Sequence, residues 1–235
     1  LDILEEVPDP GSDEEEALLD RQACAAYALG QIGAQEAIAP LAELLPGTRE
    51  EYQLSGRLVR ALGACCQAHP NDGDVAAARE ILTTVAMPVN RWQEWAQREA
   101  IIALGIIGNE DTTAVLLNVI QTIRRRRPEQ IIRAAALALR RLTDRQATAR
   151  TLQERLDAQV MSNQLVQARR TMRTLTYIGT TTDNWLQMKR REWPAEMVEK
   201  LGSKFWQKAL EAQKFYQPAA MLPMFPGSNL YRRAD

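Results

Sequence analysis

Ala28-Leu29-Gly30-Gln31-Ile32-Gly33 comes back further along the chain as Ala103-Leu104-Gly105-Ile106-Ile107-Gly108. Looser copies stand at Ala61-Leu62-Gly63, at Ala138-Leu139 with Leu142, and at Leu175 with Ile178-Gly179. Anchored on their leucines, the copies are spaced by 33, 42, 35 and 36 residues, the length of two helices and two turns. Four positions before each leucine stand Ala25, Leu58, Ala100, Ala135 and Thr171; three positions after stand Ile32, Cys65, Ile107, Leu142 and Ile178. This spacing makes one helical stripe. Gly33, Gly108 and Gly179 fall where each helix should stop, since glycine takes the left-handed C′ conformation without a Cβ penalty.

A second apolar-periodic stretch follows each first one, at 35–45 (closed by Pro46-Gly47), 75–85, 112–123 and 147–160. Each carries one apolar stripe. A single pair cannot bury both of its stripes, so the pairs must stack. The run Arg98-Glu-Ala-Ile-Ile-Ala-Leu-Gly-Ile-Ile-Gly108 resembles a HEAT repeat of the bacterial subtype that also occurs in phycobilisome lyases, and residues 23–45 resemble the same subtype. The resemblance covers residues 16–180. It is specific in the first and third copies. In the second, Cys66 stands for the glycine; in the fourth, Arg140 and Thr143 replace both glycines. It implies an all-α fold, a right-handed α-solenoid of about five HEAT-like helix pairs. It also implies use in protein–protein binding, without one catalytic activity.

Outward from the repeats, residues 1–20 hold nine acids and no base. Up to residue 13 they read as a flexible acidic lead-in with Pro8, Pro10 and Gly11. Residues 14–180 are the solenoid, its first helix opened by acids that favour the helix dipole. Residues 181–216 read as a helical cap. Asp183-Asn-Trp-Leu, with Trp193 beyond, is similar to an aromatic closing motif at the ends of bacterial HEAT arrays, and 195–215 reads as one amphipathic helix. Residues 217–235 read as an extended arm: Pro218, Pro223 and Pro226 bar a long helix, while Met221, Leu222, Phe225 and Tyr231 are apolar. The arm is expected to dock on its own solenoid or on a partner, with Phe225 and Tyr231 as anchors. No methionine and no signal-peptide pattern stand at Leu1, so the chain is expected to begin inside a longer product or after processing. The compartment stays open.

The net charge of −1 hides an asymmetry: residues 124–191 hold sixteen Lys or Arg against five acids. Arg124, Arg125, Arg126 and Arg127 close a helix before Pro128, more cations than a helix dipole needs. With Arg133, Arg140 and Arg141 they make a candidate basic stripe. Three readings stay open: a solvated or internally paired face, an acidic segment of a protein partner, or nucleic acid or anionic lipid. No aromatics are interleaved with these arginines, which weakens base stacking.

Catalytic signatures are scarce. No Gly-rich phosphate loop or nucleophile elbow occurs, and the one histidine, His69, cannot make a ligand set. Cys65 and Cys66 read as buried apolar residues; the alternative is a metal or redox pair. Trp92, Glu94 and Trp95 beside a basic groove would resemble the solenoid alkylpurine DNA glycosylases, while the plainer reading is packing of the third helix pair on the second. The expected function is a non-enzymatic scaffold of a larger assembly, without cofactor, metal or membrane span. The alternatives are a nucleic-acid-binding solenoid and a phycobilin lyase or chaperone.

Overall fold

The computed structural model describes residues 2–6, 13–123, 129–178, 183–203 and 205–207, and no strand occurs among them. They fall into two compact units, one reaching Val115 and one starting at Leu116. The first contains α1 (Asp2–Glu5), α2 (Asp13–Ile32), α3 (Ile38–Leu44), α4 (Tyr52–Ala68), α5 (Val75–Ala86), α6 (Glu94–Ile107) and the start of α7 (Glu110–Thr122). The second contains the rest of α7, then α8 (Glu129–Leu142), α9 (Arg145–Met161), α10 (Leu165–Ile178), α11 (Asp183–Glu192) and α12 (Ala195–Leu201). Within each unit first helices pack on first helices in chain order, α2 on α4 on α6 and α8 on α10, as the all-α solenoid reading requires.

The repeated Ala-Leu-Gly explains the first unit. Leu62 and Leu104 have no exposed area, and full burial of a leucine is worth about 1.5–3 kcal/mol. The glycine after the leucine lets the next helix close in. A Cβ on Gly30 would stand 2.8 Å from the Cα of Ala61, and one on Gly63 would stand 2.6 Å from the Cβ of Ala103. Each glycine therefore seats the alanine that precedes the next anchor.

Turn chemistry sets the helix ends. Gly33 stops α2 with φ +69°, as expected. Gly108 does not use the left-handed region: its φ is −69° and ψ 170°. A glycine is needed there for space, since a Cβ would lie 2.2 Å from the Leu104 carbonyl oxygen. Gly179 lies outside the described residues. α7 opens on a reciprocal cap: the Thr112 amide donates to Asn109 Oδ1 (3.2 Å) and the Asn109 amide to Thr112 Oγ1 (3.0 Å). Where the fourth copy lacks glycine, Thr143 donates to the Leu139 carbonyl (2.7 Å) and Asp144 accepts from the Ala147 amide (2.8 Å), capping α9.

Four expectations change in detail. The second helix of the first pair is α only over Ile38–Leu44, with 3-10 turns at Gln35–Ala37 and Leu45–Thr48, so Pro46 sits inside a turn rather than ending the helix outright. In α2 the buried side is Gln22, Ala23, Ala26 and Gly30, while Ile32 is 76% exposed and Leu29 half-buried. α4 packs against both α2 and α6, while α2 packs against α4 and the short α1. Within the acidic lead-in, Asp2–Glu5 forms a helical turn with Leu4 buried, held by the Gln22 amide on the Leu4 and Glu6 carbonyls (3.3 and 2.8 Å). The helix expected over 195–215 breaks at Gly202, whose φ is +77°.

The end of the second unit is closed by aromatics. Leu186, Trp193, Leu201 and Phe205 are buried in one cluster with Leu175 and Ile178. Trp185 and Trp193 pack edge to face, 6.2 Å apart, and Trp206 lies 6.1 Å from Trp193. Trp193 Nε1 donates to Asp157 Oδ1 at 2.6 Å, and Lys189 pairs with the same carboxylate at 3.0 Å. Buried indoles need such a partner.

Candidate functional site

Three first helices bring Tyr27, Arg57 and Trp95 together. Tyr27 lies on α2 two residues before its anchor leucine, Arg57 on α4 five before its own, and Trp95 in the first turn of α6. The Arg57 guanidinium lies over both rings, 5.3 Å from the centroid of Tyr27 and 5.7 Å from that of Trp95. Such contacts hold a cation without neutralising it. No described residue accepts a hydrogen bond from Arg57. With Arg60 and Gln31 it lines the groove between α2 and α4.

Trp95 is fixed from two sides. Gly56 makes room for it, since a Cβ there would stand 2.6 Å from the indole. The Tyr52 ring flanks it at 5.7 Å. Its Nε1 donates to Glu99 Oε1 at 3.1 Å, and Arg98 donates to the same oxygen at 3.1 Å. Glu99 is 3% exposed, the one buried charged residue among those described, and its Oε2 accepts no hydrogen bond. Burial pushes its pKa up; the bond and charge of Arg98, the charge of Arg60 and the Trp95 bond pull it down without cancelling that rise. Glu99 thus positions an indole and a guanidinium on one ridge. Trp95 packs on α4, the plainer of the two readings of the tryptophans, and Trp92 is buried.

Of the arginines singled out from the sequence, Arg133, Arg140 and Arg141 are described, all on α8. Arg124, Arg125, Arg126 and Arg127 lie outside the described residues, as do Phe225 and Tyr231 and the whole arm. Arg133 and Arg141 are exposed on α8 with no described partner; Arg140 is half-buried and makes contacts within the chain. On α10, Arg169 donates to the Lys200 and Leu201 carbonyls (2.8 and 3.3 Å), Arg170 to the Gln121 carbonyl (2.8 Å), and Arg173 pairs with Glu129 at 2.9 Å. Arg169 and Arg170 thus complement helix C-termini inside their own unit, and Arg173 neutralises a carboxylate there.

Cys65 and Cys66 are buried, and burial pushes their thiols up to about 11 and about 12. Both are thiols at neutral pH, which suits the apolar reading and not a reactive pair. His69 Nε2 donates to the Gly33 carbonyl at 2.8 Å; a carbonyl only accepts, so the proton sits on Nε2. Among the described residues no three His, Cys, Asp or Glu side chains gather as metal ligands, and no helix is long and apolar enough to cross a membrane.

The sequence reading missed the Tyr27–Arg57–Trp95 cluster and Glu99. Its available signal was the arginine five before the second leucine, which could not be joined to Tyr27 and Trp95 without the offset between neighbouring helices. Residues 25–45, which span the end of α2 and all of α3, match the family model described as PBS lyase HEAT-like repeat and support a HEAT-repeat family assignment. No curated protein and no solved structure matches the chain.

Proposed function

We propose that this chain, assigned to the HEAT-repeat family, is a non-enzymatic scaffold that binds protein subunits of a larger assembly. HEAT-like repeats generally mediate protein interactions. The observation that carries the reading is the composition of the open side of α2. Ile32 is 76% exposed and Tyr27 43%, beside exposed Cys24 and Ala28 and half-buried Leu29. The same side of α4 buries Leu62 and Cys65 completely. A helix apolar on opposite sides is built to be covered on both. A repeat that ends against water carries a polar outer face instead.

Purification of the full-length protein from its own source at physiological salt, followed by native mass spectrometry, tests this. A stoichiometric protein partner is expected, and Ile32→Glu should release it without lowering the melting temperature. Recovery without any protein partner would overturn the scaffold. Recovery with nucleic acid or with pigment in its place would do the same, in favour of the base-excision or the lyase reading.

A further inference from the structure

Arg57 is a cation prepared for a ligand that no described residue supplies. A guanidinium has five N–H donors in a rigid fork that matches a carboxylate. Here the fork is held by two rings, of which Trp95 is secured from behind by Gly56 and Glu99. Nothing described accepts from it. A half-buried guanidinium that gave up part of its hydration without gaining an acceptor is poised to gain from binding an anion. Arg60 lies one turn on in the same groove.

The surroundings favour a short acidic protein segment. Tyr, Trp and Arg are the residues that carry most interface energy, and here one arginine touches both a tyrosine and a tryptophan. A nucleic acid needs an extended basic track, yet residues 13–115 hold sixteen acids and seven bases, a balance of −9. The field around the site therefore repels a long polyanion, while one or two carboxylates feel chiefly the local arginines within a Debye length. The Tyr27 and Trp95 rings also already carry Arg57 and are not free platforms for bases.

We propose that Arg57, braced by Tyr27 and Trp95 and flanked by Arg60, is the centre of a protein-docking site on α2, α4 and α6 that receives one or two carboxylates of a partner's acidic segment. This rests on the scaffold reading and names where, and by what chemistry, the partner is held. The probe is a fluorescein-labelled peptide of four glutamates and two leucines, its ends blocked, titrated into the full chain by anisotropy. The wild-type chain should bind it, with affinity falling as salt rises. Arg57→Gln and Arg57→Lys should each weaken binding about tenfold or more, the lysine because it keeps the charge and loses the fork. Arg191→Gln, at an exposed arginine of α11, should change nothing.

The melting temperature of each variant is read alongside, and a peptide with glutamines for glutamates is titrated into the wild type. That second titration stands even where a variant does not fold. Equal binding of the glutamate and glutamine peptides, no binding of either, or wild-type affinity in a folded Arg57→Gln chain would each overturn the site. Stronger binding of a duplex DNA than of the glutamate peptide would overturn it in favour of nucleic acid. A native partner that co-purifies equally with Arg57→Gln would remove the site and leave the scaffold standing. Absence of any partner on the wild type would instead remove the scaffold.

Discussion

In the unit that ends at Val115, neighbouring first helices meet glycine on alanine, Gly30 on Ala61 and Gly63 on Ala103, and the anchor leucines fill what remains. In the unit that begins at Leu116, the place after the anchor leucine is taken by Arg140, and long polar side chains tie the helices. Gln121 Nε2 donates to Thr171 Oγ1 (3.0 Å), Thr171 to Gln159 Oε1 (2.8 Å), and Gln159 Nε2 back to Gln121 Oε1 (2.7 Å), a closed ring across α7, α9 and α10. Arginines of α10 then fasten the ends of α7 and α12. One repeat length thus tolerates two kinds of joint. The close-packed joint permits no added atom. The polar joint permits bulk but fails if any member is left unpaired.

The largest effect tests what the units share. Leu104→Ala and Leu175→Ala, both at positions without exposed area, should each cost about 2–5 kcal/mol in chemical denaturation. Losses of similar size would show that the anchors are equivalent and that the contrast lies in the joints. A loss below about 0.5 kcal/mol at either would mean that its register differs.

The joints themselves come next. Gly63→Ala drives a methyl to within 2.6 Å of the Ala103 Cβ and should cost about 1–3 kcal/mol. Ala103→Gly in the same chain should restore part of that loss, a coupling that independent sites do not show. Thr171→Val keeps the volume and opens the ring, leaving the buried Gln159 short of a donor; the expected cost is about 1–2 kcal/mol. If the valine proved neutral, the ring would contribute nothing and the two joints would differ in appearance only.

The anchors and the pairing of helices were legible because each is written in local periodicity, leucine with −4 and +3 neighbours; Trp193 after Asp183-Asn-Trp-Leu was singled out by resemblance instead. The departure at Arg140 and Thr143 was legible too, as the loss of a glycine, although the Thr143–Asp144 turn that replaces it was not. The buried side of α2 was misjudged because a stripe shows what a helix could bury, and α2 is apolar on two sides. The candidate site was out of reach for a different reason. Tyr27, Arg57 and Trp95 stand at −2, −5 and −9 from their anchors, and only the stagger between adjacent helices, set by glycine on alanine, aligns such unlike positions. The burial of Glu99 could not be read from its own helix, since burial of a charge depends on what the neighbouring helix brings.

The smallest effect concerns that carboxylate and divides the units by pH. Burial holds the folded-state pKa of Glu99 above the ordinary glutamate value, with Arg98, Arg60 and Trp95 only partly opposing it. The folded chain therefore binds the Glu99 proton more tightly than the unfolded chain does. Below the ordinary value both states are protonated and the group costs nothing. As pH rises through the interval up to the folded value, the unfolded state sheds its proton first, and stability falls. Glu99→Gln removes that dependence while its side-chain oxygen can still accept from Trp95 Nε1. The variant should gain in melting temperature relative to wild type as pH rises from 4 toward 7, with little difference at the acid end. Asp157, in the second unit, has a lowered pKa: its bonds from Trp193 and Lys189, with the Lys189 charge, outweigh its burial. Asp157→Asn should show the opposite trend, losing most to wild type at neutral pH and least in acid. Parallel pH profiles for the two variants would mean that the carboxylates play the same part in both units, and the contrast between an apolar joint and a polar one would have to be drawn from the glycines and the glutamine ring alone.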